Sequence, residues 1–177
     1  LRVESRWFTN ILLGDVAKNM IRTFFFHLSD AERLAGRPEG NPVTAFEKIG
    51  IIGAGMMGAG IAHAAIAAGL DAILLDINLD QANRGKKHCQ NLLAEQVKRE
   101  EISEREASAA LRRLTPTTEF ADFSDAGLVV EAVFEDRNIK ADVTCKAEAA
   151  TNPTTVLASN TSTLPITILA ESSDRPH

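Results

Sequence analysis

The stretch EKIGIIGAGMMGAGIAHAAIAAGLDAILLD, from Glu47 to Asp76, constrains this chain more than any other. Lys48–Ile52 is a short apolar run with β-branched residues, ended by glycine, which is the pattern of a buried parallel strand. Gly53, Gly55 and Gly58 follow as G-x-G-x-x-G. Residues Met56 to Ala68 are almost all small and apolar, as in a helix buried against a sheet, and Gly69 closes them. Ala72 to Leu75 reads as a second strand, ended by Asp76. Strand, tight turn, helix and strand in that order make a βαβ unit.

Each glycine has a physical reason. Gly53 permits the sharp turn out of the strand. Gly55 has no Cβ, so a pyrophosphate can approach the backbone. Gly58 lets the helix pack close to the strand. The helix then aims its first N–H groups and positive dipole end at the phosphates. Asp76 lies where an acidic side chain accepts hydrogen bonds from the adenosine ribose hydroxyls. An ordinary βαβ unit with a glycine turn does not account for that acid. Asp76 is followed by Ile77 and Asn78, with no Arg, so a 2′-phosphate would be repelled and NAD is favoured over NADP.

The chain has 177 residues, 45% of them hydrophobic, and a net charge of −5. That is enough for one domain with an appendage and a real core. The acidic balance argues against nonspecific nucleic-acid binding. Cys89 and Cys145 lack paired spacing and read as free thiols of a reducing compartment. No metal-ligand cluster is expected among the His and Cys residues, and no run is long enough to span a membrane. A start at Leu1 without Met, and a stop at Arg175-Pro176-His177, read as the ends of a piece of a longer polypeptide. An exposed sheet edge would follow, and with it a tendency to self-associate.

Residues 1 to about 35 form a helical segment with apolar residues at helical spacing, interrupted at Gly14-Asp15, where Asp15 is expected to cap a second helix. Five of the eight Phe fall in residues 1–50. So much apolar surface needs cover, either as a docking helix between domains or on this domain's own outer face. Gly36 to Pro42 is a linker. Beyond Asp76, Leu79 to Glu100 reads as a long helix weakened by Gly85. Ser103 to Glu106 has the form of a capping box opening a second helix, Glu104 to Leu111. The charged face of this hairpin, Lys86, Lys87, Lys98, Arg99, Arg112 and Arg113, reads as solvated or as a weak phosphate-attracting surface.

Strands are expected at Leu114 to Thr118, Leu128 to Phe134 and Thr155 to Ala158, with helices at Asn138 to Ala150 and Ile166 to Ala170. Glu135 ends the second of these strands, at the sheet end where ligands bind, and is the better site candidate. Glu131, inside the strand, is either a ligand group or a carboxylate held by backbone N–H groups or capping a neighbouring helix. Lys140 opposes the dipole of the helix it opens, which hints at a ligand role. The polar run Ser159-Asn160-Thr161-Ser162-Thr163 faces the same crevice. It can bond a nicotinamide carboxamide or a substrate oxygen, or Ser162 or Thr163 can cap the helix that follows.

IGIIGAGMMGAGIA, LLDIN, LVVEAVFED and LASNTSTLPI, in that order and spacing, resemble the NAD-binding domain of L-3-hydroxyacyl-CoA dehydrogenases over residues 48–177. The resemblance implies a Rossmann-type doubly wound parallel sheet with a helical-hairpin crossover. Residues 1–47 resemble the linker that follows an enoyl-CoA hydratase domain in multifunctional fatty-acid oxidation proteins of the α-subunit type. By the same resemblance, Gly53, Gly55, Met57 and Gly58 would hold the NAD pyrophosphate and Asp76 the adenosine ribose. Val133, Phe134 and Glu135 would line the nicotinamide half, with Lys140 nearby. Ser162 would reach both the nicotinamide side and the substrate hydroxyl.

The family's general base is a His in an HFF-type motif beyond the SNTS strand, oriented by a later Glu. This chain stops before that motif. His177 is not that base, His63 reads as a packing residue, and the chain by itself is expected to be inactive. The implied partners are an acyl-CoA substrate, the hydratase domain before and a helical dehydrogenase domain after, and a thiolase subunit, with no nucleic acid. The implied location is the bacterial cytoplasm, or a mitochondrial or peroxisomal matrix. Two other readings are a β-hydroxyacid dehydrogenase of the 6-phosphogluconate type, which shares G-x-G-x-M-G, and a non-catalytic dinucleotide-binding or docking module.

Overall fold

The structure is a computed structural model that describes residues 1–37 and 45–176. The chain divides into two compact units, Leu1–Thr44 and Ala45–His177. Most of the expected linker, residues 38–42, and His177 lie outside the described residues.

The first unit is helical: α1 (Arg2–Leu13), α2 (Asp15–Ile21), a π-helical stretch (Arg22–His27) and α3 (Leu28–Glu32). Gly14 makes the break, with an extended φ of −70° and ψ of 157°. It also occupies the cap position, so Asp15 is the first helical residue rather than the cap expected of it. There its charge still favours the helix dipole. None of these helices buries a residue within the unit, and Trp7, Phe8, Phe24 and Phe25 are all exposed.

The second unit is built on five parallel strands: β1 (Lys48–Ile52), β2 (Asp71–Leu75), β3 (Leu114–Thr117), β4 (Leu128–Glu131) and β5 (Val156–Ser159). Their spatial order is β3-β2-β1-β4-β5. Chain order therefore reverses at β1, and the crossovers pack on both faces, as in a doubly wound fold. On one face α4 (Met56–Ala67) and α5 (Leu79–Lys98) cover Ile49, Ile51, Ala72 and Leu74. On the other, α7 (Arg137–Ala150) and a 3₁₀ turn (Phe120–Phe123) cover Ile52, Ile73, Leu75 and Val129. Burial on both faces is why β1 and β2 read as unbroken apolar runs rather than alternating ones.

Close packing explains three residues whose role the sequence left open. Gly85 lies inside α5 because a Cβ there would meet Leu74 Cδ2 at 2.7 Å and Ala54 Cβ at 2.8 Å. The fully buried ring of Phe123 packs over Gly50, where a Cβ would stand 2.6 Å from its Cδ1. The 3₁₀ turn that carries Phe123 has too few residues for a periodicity to reveal it. After α5 comes α6 (Glu104–Arg112), opened by the expected capping box: Ser103 N–H donates to Glu106 Oε2 at 2.8 Å and Glu106 N–H to Ser103 Oγ at 3.2 Å. The last element is α8 (Ile166–Ala170).

Strand β4 ends at Glu131, three residues before the expected Phe134. Pairing stops because β1, its neighbour, turns away at Gly53, and Ala132 N–H donates the last bond to Ile52 O at 2.7 Å. Strand β5 starts one residue late because Thr155 is buried and donates its hydroxyl to Ala126 O at 2.8 Å. Among the described residues, no helix is long and apolar enough to cross a membrane.

Candidate functional site

The carboxyl ends of β1 and β4, the adjacent strands at which chain order reverses, open a crevice where ligands bind in such sheets. One wall is the glycine turn. Gly53 takes φ +99°, and a Cβ there would lie 2.7 Å from Ala132 O. A Cβ on Gly58 would lie 1.7 Å from Gly53 O, so only glycine lets α4 approach the strand. At Gly55 the situation is the opposite: nothing lies within 4 Å of where a Cβ would be. That open space adjoins the N-terminus of α4, which no side chain caps. The first N–H groups of the helix therefore face a region that an anion can fill. Met56 and Met57 are exposed on this turn.

Asp76 closes this wall. Its Oδ2 accepts the Ala54 N–H at 2.7 Å and its Oδ1 accepts the Ile77 N–H at 2.7 Å. These bonds tie the end of β2 to the glycine turn. Each carboxylate oxygen has a second lone pair, so the group remains able to accept ribose hydroxyls.

The other wall is made by charged and hydroxyl side chains. Lys140 is 1% exposed, and its Nζ donates to Glu131 Oε1 at 2.8 Å and Oε2 at 3.0 Å. The same Nζ lies 3.2 Å from Glu135 Oε2. Glu131 also accepts the Ser159 hydroxyl. Glu135 in turn holds the Thr161–Thr163 turn with its Oε1. That oxygen accepts the Thr161 hydroxyl at 2.6 Å, the Ser162 N–H at 2.9 Å and the Thr163 N–H at 3.0 Å. The Thr161 hydroxyl bond, then the Thr163 and Ser162 N–H groups, hold the Glu135 carboxyl well below the usual carboxylate range. Ser162 is exposed on this turn.

These contacts decide several open readings. Glu131 is held by an ammonium and a hydroxyl, with only one longer backbone bond, Val133 N–H at 3.3 Å, and it caps no helix. The dipole conflict at Lys140 is relieved by two carboxylates, and the helix is capped by Asp136, whose Oδ1 accepts the Asn138 and Ile139 N–H groups at 2.9 and 3.0 Å. Neither Ser162 nor Thr163 caps α8; Thr161 instead accepts the Leu164 N–H at 3.1 Å. Val133 is half-buried and Phe134 is 84% exposed, both in the loop between the two walls. Sequence reasoning placed Ser159 at the crevice without its bond to Glu131, and it missed Asp136. For Asp136, the signal was an acid directly before a helix.

The remaining candidates lie elsewhere. His63 meets Gln96 Oε1 at 3.2 Å between α4 and α5. The basic face of the hairpin is mostly exposed, at Lys87, Lys98, Arg99, Arg112 and Arg113, while Lys86 donates to Leu114 O at 2.7 Å and Arg113 to Asp71 at 2.9 Å. Cys89 is buried, its thiol pushed up to about 11 by desolvation.

A doubly wound parallel sheet with a glycine-bounded, uncapped helix N-terminus at its switch point and an acid ending β2 is a dinucleotide-binding Rossmann domain. Residues 48–177 match the family described as "3-hydroxyacyl-CoA dehydrogenase, NAD binding domain". The chain belongs to that family, and the cofactor its site is built for is NAD. It is 34% identical over 178 residues to the fatty acid oxidation complex subunit alpha of Psychrobacter cryohalolentis, covering 99% of this chain and 24% of that protein. The chain thus spans about a quarter of the length of such relatives. Among solved structures, the (S)-3-hydroxybutyryl-CoA dehydrogenase of Ralstonia eutropha superposes with a TM-score of 0.73 at 30% identity, over 75% of this chain and 47% of that one. The 3-hydroxybutyryl-CoA dehydrogenase of Escherichia coli gives 0.72 at 30%, over 75% and 28%.

Proposed function

We propose that this chain is the cofactor-binding part of a larger enzyme that oxidises (S)-3-hydroxyacyl-CoA to 3-oxoacyl-CoA in fatty-acid β-oxidation. The observation that carries this reading is the pairing of two walls across one crevice: a main-chain anion site beside Gly55, and a hydroxyl-bearing turn held by Glu135. Gly53, Gly55, Met57 and Gly58 would hold the pyrophosphate, Asp76 the adenosine ribose, and Val133, Phe134, Glu135 and Lys140 the nicotinamide half. Lys140 would act from beneath, since its ammonium is buried between Glu131 and Glu135. Ser162 would orient the substrate hydroxyl.

The chemistry NAD supplies when bound is acceptance of a hydride from C3 of the substrate. This chain's residues bind and orient. A base for the hydroxyl proton would come from outside residues 1–177, since His63 is paired with Gln96 and His88 lies on the exposed side of α5. The partners would then be a hydratase domain and a helical dehydrogenase domain of the same polypeptide, with a thiolase subunit beside them. The match to about a quarter of proteins named as one subunit of a complex supports this. The unpaired Cys89 and Cys145 support a reducing compartment, a bacterial cytoplasm or an organelle matrix.

The test is a fluorescence titration of the chain with NADH and with NADPH. Saturable NADH binding with much weaker NADPH binding is expected. Equal or tighter NADPH binding overturns the role given to Asp76, and binding of neither overturns the reading for this chain.

A further inference from the structure

The charged wall of the crevice contains one carboxylate that is almost wholly buried. Glu131 is 5% exposed and sits in the last position of β4. Burying a carboxylate and an ammonium together carries a large desolvation cost before pairing returns any of it. A well-packed apolar pair would cover the same place between β4 and α7 more cheaply. The arrangement therefore calls for a role that an apolar pair would not perform.

Connectivity supplies that role. Glu131 takes Lys140 Nζ with both oxygens and takes the Ser159 hydroxyl as well. Its backbone carbonyl accepts the Asn160 N–H at 2.8 Å. It thus binds α7 on one side and the end of β5 on the other. Lys140 passes the restraint to Glu135, 3.2 Å away, and Glu135 fixes the Ser162 and Thr163 N–H groups. The exposed Ser162 is therefore reached from Glu131 by two routes, one through Lys140 and Glu135 and one through the Ser159-Asn160 backbone.

We propose that Glu131 is the positioning residue of this site, setting the Thr161–Thr163 turn through Lys140 and Ser159 without touching cofactor or substrate. The proposal rests on the site reading above. Lys140, held from below by Glu131, stands at one point under the crevice. Glu135 is anchored by that ammonium through Oε2 and has Oε1 left for the turn. Without Glu131 the ammonium follows Glu135, and the turn loses its fixed reference to the sheet.

The test needs no ligand. Amide proton exchange of Ser162 and Thr163 is read by NMR in the chain without cofactor, for the unaltered chain, Glu131→Gln, Lys140→Met and the double variant. Glu131→Gln is expected to speed exchange at Ser162 and Thr163 roughly tenfold while leaving Ile51 in β1 unchanged, as for local opening rather than global loss. The double variant is expected to exchange at most about threefold faster than Lys140→Met alone, well short of additivity, because Glu131→Gln then removes only its contact with Ser159. Should those variants not fold, Ser159→Ala, which removes the hydroxyl of the second route and leaves the Asn160 N–H bond, is expected to speed exchange about threefold at the same amides. Where NADH binds the unaltered chain, Glu131→Gln is expected to weaken it by a similar factor. Unchanged exchange at Ser162 and Thr163, equal acceleration at Ile51, or additive effects of Glu131→Gln and Lys140→Met would overturn the proposal. Failure of the unaltered chain to bind NADH would instead sink the cofactor reading and leave the exchange result standing.

Discussion

The two walls of the crevice are built from different materials. The glycine wall is main chain: Gly53 O, the first N–H groups of α4 and the Ala54 N–H on Asp76. It is rigid because at Gly53 and Gly58 backbone packs on backbone, at separations that leave no room for a methyl group. The opposite wall is side chain: one ammonium, two carboxylates and the hydroxyls of Ser159, Thr161 and Thr163, joining β4, α7, the end of β5 and the turn after it. It holds its shape through charge, and it has to be complete to do so. Packing tolerates no added atom, and a charge network tolerates no removed partner. The walls should therefore fail under opposite kinds of mutation.

The largest expected effect follows from the second half of that contrast. Lys140→Met leaves Glu131 and Glu135 facing one another with no cation between them. Breaking a buried pair in this way costs about 3–5 kcal/mol. Urea unfolding followed by circular dichroism measures it. A loss below about 1 kcal/mol would mean that the pair is worth no more than a surface salt bridge, and the contrast between the walls would collapse.

On the glycine wall the matching test adds an atom. Gly58→Ala places a Cβ 1.7 Å from Gly53 O, which is backbone and has no rotamer to yield. Overpacking of this kind costs about 1–3 kcal/mol or more, and the shifted helix N-terminus should abolish NADH binding. Gly55→Ala sharpens the point, because its methyl group enters open space. Stability should stay within about 0.5 kcal/mol, while NADH affinity falls at least about tenfold through lost pyrophosphate approach. If Gly55→Ala binds NADH normally, the pyrophosphate does not lie where the glycine spacing implies.

This difference in material also explains what was legible in the sequence. Main-chain requirements are written as residue identity at fixed short spacing, so Gly53, Gly55, Gly58 and the capping box of Ser103 and Glu106 could be read directly. Asp76 was legible for the same reason, though its hold on the Ala54 N–H was not. Charge networks are written as pairs with no required spacing. Lys140 stood out only as a cation at the wrong end of a helix, and nothing in the chain said that Glu131, nine residues earlier and on a strand, would answer it. Phe123 over Gly50 was hidden likewise, since the contact joins a 3₁₀ turn to a distant strand. The first unit was legible as helices with too much apolar surface, and its helices indeed bury no residue and leave Trp7, Phe8, Phe24 and Phe25 exposed.

The smallest expected effect concerns pH, and it separates the walls without altering packing. Glu135 is held below the usual carboxylate range first by the Thr161 hydroxyl, then by the Thr163 and Ser162 N–H groups, with Lys140 adding to them. A carboxyl whose folded value lies below its unfolded one takes up its proton first in the unfolded chain. Its contribution to stability is therefore fully present above the unfolded Glu value of about 4.3 and fades as pH falls through that value toward the folded one. Urea unfolding of the unaltered chain and of Glu135→Gln, compared from pH 7 down to pH 3.5, should show a constant difference above about pH 5. Below about pH 4.3 the difference should shrink, because the unfolded chain then takes up a proton at Glu135 that the folded chain, still ionised there, does not. Amide exchange at Ser162 and Thr163 should quicken, relative to its ordinary pH dependence, over the same window, whereas exchange at Gly53, whose N–H bonds a backbone carbonyl, should not. A difference that persists undiminished to pH 3.5 would mean that the Thr161–Thr163 turn is held by its own backbone, and that the two walls are more alike than their chemistry suggests.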